Sequence, residues 1–232
     1  MKVFLNPEIN KEILPPLPFT VTNETIQKEQ GLFGASVSFL QKQYPESKIA
    51  YEITRLLMGK ESFGHLVYAQ AMRGYHPMID TRVTMLMPGW YACIPGWHCD
   101  GVIRKKTGTQ PDLNTINEPI YHYVVSYSGI ENSDIAPTQF YKNEVEADLD
   151  ETAVWKSLDR VINAQIETEG LKFVHTSKDG ELVTMIRETP HRGTPAIETG
   201  WRFFYRMSFY HMPAQNQIRN QTMVYVDKEA GW

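Results

Sequence analysis

Apolar and polar positions alternate with two periods along this chain. In the first third a helical period dominates. Ile49, Ile53, Leu56 and Leu57 fall on one helical face behind Ser47, a residue type that caps helices, and Gly59 stands where such a helix would end. A weaker helix is expected over 24–43, interrupted by Gly31 and Gly34. From Leu66 onward the pattern shortens towards a period of two. RVTMLM (82–87), YHYVVSYS (121–128) and TQFY (138–141) read as strands. Asp150 opens a second amphipathic helix, with Val154, Leu158, Val161 and Ile162 on its apolar side.

The last third reads as strand after strand. Residues 171–177 and 181–188 flank Lys178-Asp179-Gly180, and Asp-Gly is a hairpin signal, so the two runs are expected to pair. WRFFYRMSFY (201–210) is aromatic, basic and β-favouring throughout. Helices ahead of many antiparallel strands predict a mainly β, α+β chain. The expected core is a double-sheet jelly roll (a double-stranded, cupin-like β-helix) with N-terminal helices packed on one sheet. No repeat or linker divides the 232 residues, so a single domain is expected. In it, 1–80 form helical support and 81–213 the core, with a helical insertion near 151–166.

Composition narrows the function. A net charge of −4 argues against nucleic acid as partner, since phosphate binding needs a basic face. Two cysteines, Cys93 and Cys99, make no disulfide framework, and residues 1–19 lack the apolar run of a signal peptide. No stretch approaches a membrane span. The expectation is a soluble, cytoplasmic protein of unspecified oligomeric state.

Chemistry concentrates at His98-Cys99-Asp100. On a strand, residues two apart share a face, so the imidazole and the carboxylate point together while Cys99 points away. They can occupy adjacent corners of an octahedral ion, and a third ligand from another strand would complete a two-His-one-carboxylate triad with three positions open. The tripeptide alone is a weak signal. Among the other histidines His191 fits best, at a strand end in Thr189-Pro190-His191-Arg192-Gly193. His122 and His175 lie inside strand-like runs and read as packing or hydrogen-bonded groups; His65, His76 and His211 read as structural or surface residues. Beyond His191, Arg202, Arg206 and Ser208 share strand parity, opposite Trp201, Phe203, Tyr205, Met207 and Phe209. An arginine fork stays charged and grips a carboxylate with two hydrogen bonds.

These segments resemble the Fe(II)/2-oxoglutarate oxygenase superfamily. PGWHCDG is similar to its first ligand strand, DGELVTMIRETPHRGTPA to its second, and GWRFFYRMSFYHMP to its arginine strand, together covering roughly 82–213 with gaps. Arg202 lies eleven residues past His191, near the spacing of phytanoyl-CoA hydroxylase-like members; Arg206 lies fifteen past, and taurine dioxygenase-like members carry arginine at both. The 90 residues between Asp100 and His191 exceed the spacing of many members, and the first 80 residues match no known pattern.

The resemblance implies iron(II) on His98, Asp100 and His191. It implies 2-oxoglutarate with its distal carboxylate on Arg206, or on Arg202 as second choice or helper. Ser208, Thr138 and, more weakly, Tyr123 or Tyr121 would assist. It also implies use of O2, with a small-molecule substrate (a peptide or protein side chain being the alternative) hydroxylated, desaturated or cyclised as the cosubstrate loses carbon dioxide to give succinate. An intact Asp100 points away from halogenation. Trp97, Trp90, Tyr91 and Arg104 (with Lys105 and Lys106 in the polar loop 101–118) are the residues offered for substrate contact. Two alternatives stand beside this: a cupin-like metal protein or isomerase that needs no oxo acid, and a non-catalytic jelly-roll binding module.

Overall fold

A computed structural model describes residues 1–102, 104, 110–114, 120–129, 134–220 and 222–228. The order is β1 (Lys2–Leu5), β2 (Ile9–Ile13), α1 (Asn23–Gln27), β3 (Gly31–Phe33), α2 (Val37–Lys42), α3 (Lys48–Met58), α4 (Glu61–Met72) and β4 (His76–Leu86). Then follow β5 (Tyr121–Ser128), β6 (Thr138–Tyr141), β7 (Val145–Asp148), α5 (Val154–Glu169), a 3-10 turn (Leu171–Phe173), β8 (Val174–Thr176), β9 (Glu181–Ile186), β10 (His191–Gly193), β11 (Gly200–Tyr210) and β12 (Gln217–Arg219).

The chain is mainly β with helices against it. A five-stranded antiparallel sheet has the order β2-β9-β5-β11-β4, and a three-stranded sheet the order β10-β6-β8. Two small pairs, β1-β7 and β12-β3, lie beside them. Val124 and Phe204 from the large sheet cluster with Phe140 of the small one, together with Val183 and Met185, so the sheets face each other. The other face of the large sheet carries Tyr123, Val125, Tyr127, Phe203, Tyr205, Met207 and Phe209, buried against α1–α4. The parity expected for residues 201–210 therefore holds: the aromatic set packs under the helices and the arginine set faces the second sheet.

Several local expectations are corrected. The segment 24–43 is two short helices split by β3, and α4 was not foreseen. Ser47 does flank α3, but its hydroxyl caps nothing; the Glu29 carboxylate, from the preceding turn, accepts the Ile49 N–H at 2.6 Å instead. The runs either side of Lys178-Asp179-Gly180 do not pair. β8 joins the small sheet and β9 the large one, so the turn carries the chain between layers. Gly180 takes a left-handed φ of 69°, its N–H donates to the Ser126 carbonyl, and the Asp179 carboxylate accepts the Ser128 N–H. Both anchors are on β5, which fixes the crossover onto the large sheet.

α5 packs its Val154, Leu158 and Ile162 with Trp97, Cys99, Tyr141, Val145 and Leu149 in a separate core outside the small sheet. Among the described residues no helix is long and apolar enough to cross a membrane.

Candidate metal centre

The segment leading to Asp100 runs antiparallel to β10. His98 N–H donates to the His191 carbonyl at 3.1 Å, and His191 N–H to the His98 carbonyl at 2.8 Å. Gly193 N–H donates to the Ile94 carbonyl at 2.9 Å, and a Cβ on Gly193 would sit 2.9 Å from both Cys93 O and Sγ. This close approach explains why glycine ends β10. α5 holds the same segment from outside: the Trp97 N–H donates to Asp159 Oδ1 at 2.9 Å and its indole to Asn163 Oδ1 at 3.2 Å.

The backbone pairing brings His98 and His191 side by side, their ring centroids 4.5 Å apart. Nε2 of His191 is 3.5 Å from Asp100 Oδ2, and one ligating atom from each of His98, Asp100 and His191 lies within 4.8 Å of the others. Both rings are oriented alike. Nδ1 of His98 meets the Gly96 carbonyl at 2.8 Å, and Nδ1 of His191 meets the Thr189 carbonyl at 3.1 Å. A carbonyl can only accept, so each Nδ1 carries a proton and each Nε2 is turned towards the shared site. This is the outer-shell pattern of metal-binding histidines. Burial, with His191 alongside, pushes the His98 pKa down to about 4, so its imidazole is neutral near neutrality. Burial alone would raise Asp100. The Arg206 guanidinium and the two imidazoles overcome that and hold the carboxyl well below its usual range. The donor set, two imidazoles turned alike by their carbonyl contacts and one ionised carboxylate, fits a divalent first-row metal.

A cavity of about 150 Å³ opens from these ligands between the sheets. Val124, Phe140, Met185 and Phe204 give it apolar walls, and Arg82, Arg202 and Arg206 give it charge. Arg206 donates from Nη1 to Asp100 Oδ2 and from Nη2 to Asp80 Oδ2 at 2.8 Å. Arg202 donates from Nε to Asp134 Oδ1 at 3.1 Å, and its Nη2 lies 3.4 Å from the Thr138 hydroxyl. His98, Asp100, His191, Arg202, Arg206 and Thr138 thus converge on one cavity.

The remaining expected residues stand elsewhere. Ser208 hydrogen-bonds Nδ1 of buried His122 at 2.7 Å. Tyr123 and Tyr121 face the helices on the opposite side of the sheet. Trp97 is fully buried outside the small sheet, with Arg192 over its ring, and Trp90 packs in a small cluster around Leu86. Tyr91 bridges Pro195 and Tyr225 by backbone pairing, and Arg104 is exposed, bridged to Pro111. Lys105 and Lys106 lie outside the described residues. His175 bonds Glu181 at 2.8 Å, and His65, His76 and His211 are exposed.

Sequence reasoning missed Arg82, Cys93, Asp80 and Asp134. Two of them, Asp80 and Arg82, were readable in principle. Asp80 and Arg82 have the parity of Thr84 on β4, but a strand read as starting at 82 hides Asp80, and neither was assigned a face.

No protein-family model matches the chain, and no curated protein matches it. Solved structures do match. EvdO2 of Micromonospora carbonacea var. aurantiaca, complexed with 2-oxoglutarate, is 11% identical over 91% of this chain and 97% of its own, with a TM-score of 0.35. HygX of Streptomyces hygroscopicus with iron bound is 9% identical over 88% and 82%, with a TM-score of 0.36. The non-heme monooxygenase ThoJ, as its nickel complex, is 7% identical over 88% and 73%, with a TM-score of 0.37.

Proposed function

We propose that this chain is an iron(II)- and 2-oxoglutarate-dependent oxygenase acting on a small organic molecule. The observation that carries the reading is the convergence of His98, Asp100 and His191 at one end of a cavity that also holds three guanidinium groups. The order β4-β11-β5-β9 facing β10-β6-β8, with the His98 segment beside β10, supports a jelly-roll core in which each ligand comes from the small-sheet side.

When bound, the ion and the oxo acid would supply oxidative decarboxylation and the oxygen chemistry directed at the substrate. The chain's residues prepare the place. His98 and His191 present their Nε2 atoms in fixed positions because their Nδ1 protons are bound to carbonyls. Arg206 fixes the Asp100 carboxylate through a guanidinium itself fixed by Asp80. The cationic side chains attract a dianion, and Val124, Phe140, Met185 and Phe204 keep water away from the reacting end.

One observation favours a second reading, a metal protein that uses no oxo acid: Arg202 and Arg206 both already have carboxylate partners. The two are separated by adding iron(II) and then 2-oxoglutarate under anaerobic conditions. The oxygenase reading expects stoichiometric iron and a weak visible charge-transfer band on adding the oxo acid, both lost in His98→Ala. Iron bound without the band leaves the second reading; no iron bound sinks both.

A further inference from the structure

We propose that Arg82 is the carboxylate-binding cation of this cavity. The inference rests on the oxygenase reading for the identity of the ligand, but not for the presence of a cation. Three guanidinium groups line the cavity, and two are spent within the protein. Arg202, almost fully buried, forks onto Asp134, with Nε at 3.1 Å and Nη2 at 3.5 Å from the two carboxylate oxygens. Arg206 spans Asp80 and Asp100. Asp134 and Asp80 are in turn held, Asp134 by the Ser126 hydroxyl at 2.7 Å and the Ala136 N–H at 3.1 Å, Asp80 by the Gly34 N–H at 2.9 Å. An incoming carboxylate would have to displace Asp134 from Arg202 or Asp80 from Arg206, leaving a largely buried carboxylate without its cation even when a metal holds Asp100.

Arg82 differs. It sits on β4 opposite Phe204 of β11, lines the same cavity and is half-buried. Among the described residues no carboxylate forms an ion pair with it. The charges agree with this assignment. Asp80, Arg206 and Asp100 together carry one net negative charge, Arg202 and Asp134 cancel, and Arg82 adds one positive charge. A divalent ion at the ligands then leaves two positive charges, which a dicarboxylate would neutralise. A planar fork on a half-buried edge position, with no ion-pair partner among the described residues, can accept a carboxylate without rearranging the core.

The carboxylate has two sources: the far end of the oxo acid, or an acid group on the substrate. The test uses the iron(II)-loaded protein without oxygen and compares 2-oxoglutarate with 2-oxovalerate, which has a methyl in place of the distal carboxylate. Wild type is expected to bind the diacid tighter by about tenfold to a hundredfold, the range of a charge-assisted bond. Arg82→Gln is expected to erase that preference while iron content, 2-oxovalerate binding and melting temperature stay as they were. Arg82→Lys should keep part of it, and serves as well if the glutamine variant folds poorly. A second arm titrates small carboxylic acids against their primary amides, read by thermal shift. If the oxo acid preference survives in Arg82→Gln but acids lose their advantage over amides, the carboxylate is the substrate's. If both preferences survive, or if Arg202→Gln removes the first and Arg82→Gln changes neither, the proposal is overturned. Failure of wild type to bind either oxo acid sinks the oxygenase reading alone, because the acid and amide titration still tests Arg82.

Discussion

Replacing Glu29 by glutamine should stabilise the protein, and increasingly so as pH rises. Glu29 is only 8% exposed; its Oε1 accepts the Ile49 N–H and its Oε2 has no hydrogen-bond partner. Burial raises its pKa from 4.5 to about 8, against the opposing pull of the amides that open α3. Below pH 4.5 folded and unfolded chains both bind the proton, and the site is neutral in its effect. Between that value and about 8 the folded chain holds a proton the unfolded chain has lost, so stability falls as pH rises. At 1.36 kcal/mol per pH unit, the gap sets a ceiling of about 5 kcal/mol above pH 8 and about 3 kcal/mol at pH 7. Water entering a site that is slightly exposed lowers both, and about half is a realistic yield. Glutamine keeps an oxygen for Ile49 and removes the charge. Urea unfolding of wild type and Glu29→Gln at pH 5, 7 and 8.5 measures the difference. It should be near zero at pH 5 and reach about 2 kcal/mol at pH 8.5. A difference that stays flat, or favours wild type at high pH, would show that the helix amides outweigh desolvation.

Two further outcomes follow from packing. Tyr205→Phe strands the buried Thr54 hydroxyl, which shares a 2.8 Å hydrogen bond with Tyr205, and should cost about 1–3 kcal/mol in urea unfolding. Gly193→Ala forces a Cβ to within 2.9 Å of the Cys93 backbone and sulfur, so β10 must move away from the ligand segment. Iron affinity, read by equilibrium dialysis, should then fall at least about tenfold even where the variant stays folded; an unchanged affinity would mean that the two strands tolerate separation.

Much of the site was legible because it is local. PGWHCDG and TPHRGTP place their ligands by strand parity and chain order, and the alternation of 201–210 assigns the arginines to one face and the aromatics to the other. What was illegible depends on partners distant in sequence. Asp134, which neutralises Arg202, lies in a turn-rich stretch whose own pattern says nothing of a guanidinium 68 residues later. β1 and β2 each pair with strands far along the chain, so neither has a local signature. The Lys178-Asp179-Gly180 turn has hairpin chemistry, yet Asp179 bonds β5 and sends β9 into the other sheet. In β5 itself, seven of eight residues are buried, so both faces read alike and Tyr123 could not be assigned to the helix side from pattern alone. Ser47 looked like a cap because serine is a frequent one; a carboxylate from another turn had already taken the helix amides.

Arg206 offers the sharpest test of how the ligand set is built, because its two effects on a metal have opposite signs. It orients Asp100, which helps an incoming ion, and it places a positive charge in hydrogen-bond contact with the ligand oxygen, which opposes one. In the metal-free protein, Arg206→Gln leaves Asp80 and Asp100 without their shared cation, and loss of one partner from a largely buried pair costs about 3–5 kcal/mol. Asp100 regains a cation when metal binds, whereas Asp80, farther from the ligands and still held by the Gly34 N–H, does not. The variant should therefore be less stable than wild type in both states, yet gain more from the metal. Melting temperature with and without manganese(II) separates the effects: the metal-induced rise should be larger in Arg206→Gln. A smaller rise would mean that orientation of the carboxylate outweighs repulsion, and that Arg206 contributes to metal binding by geometry rather than merely neutralising the empty site.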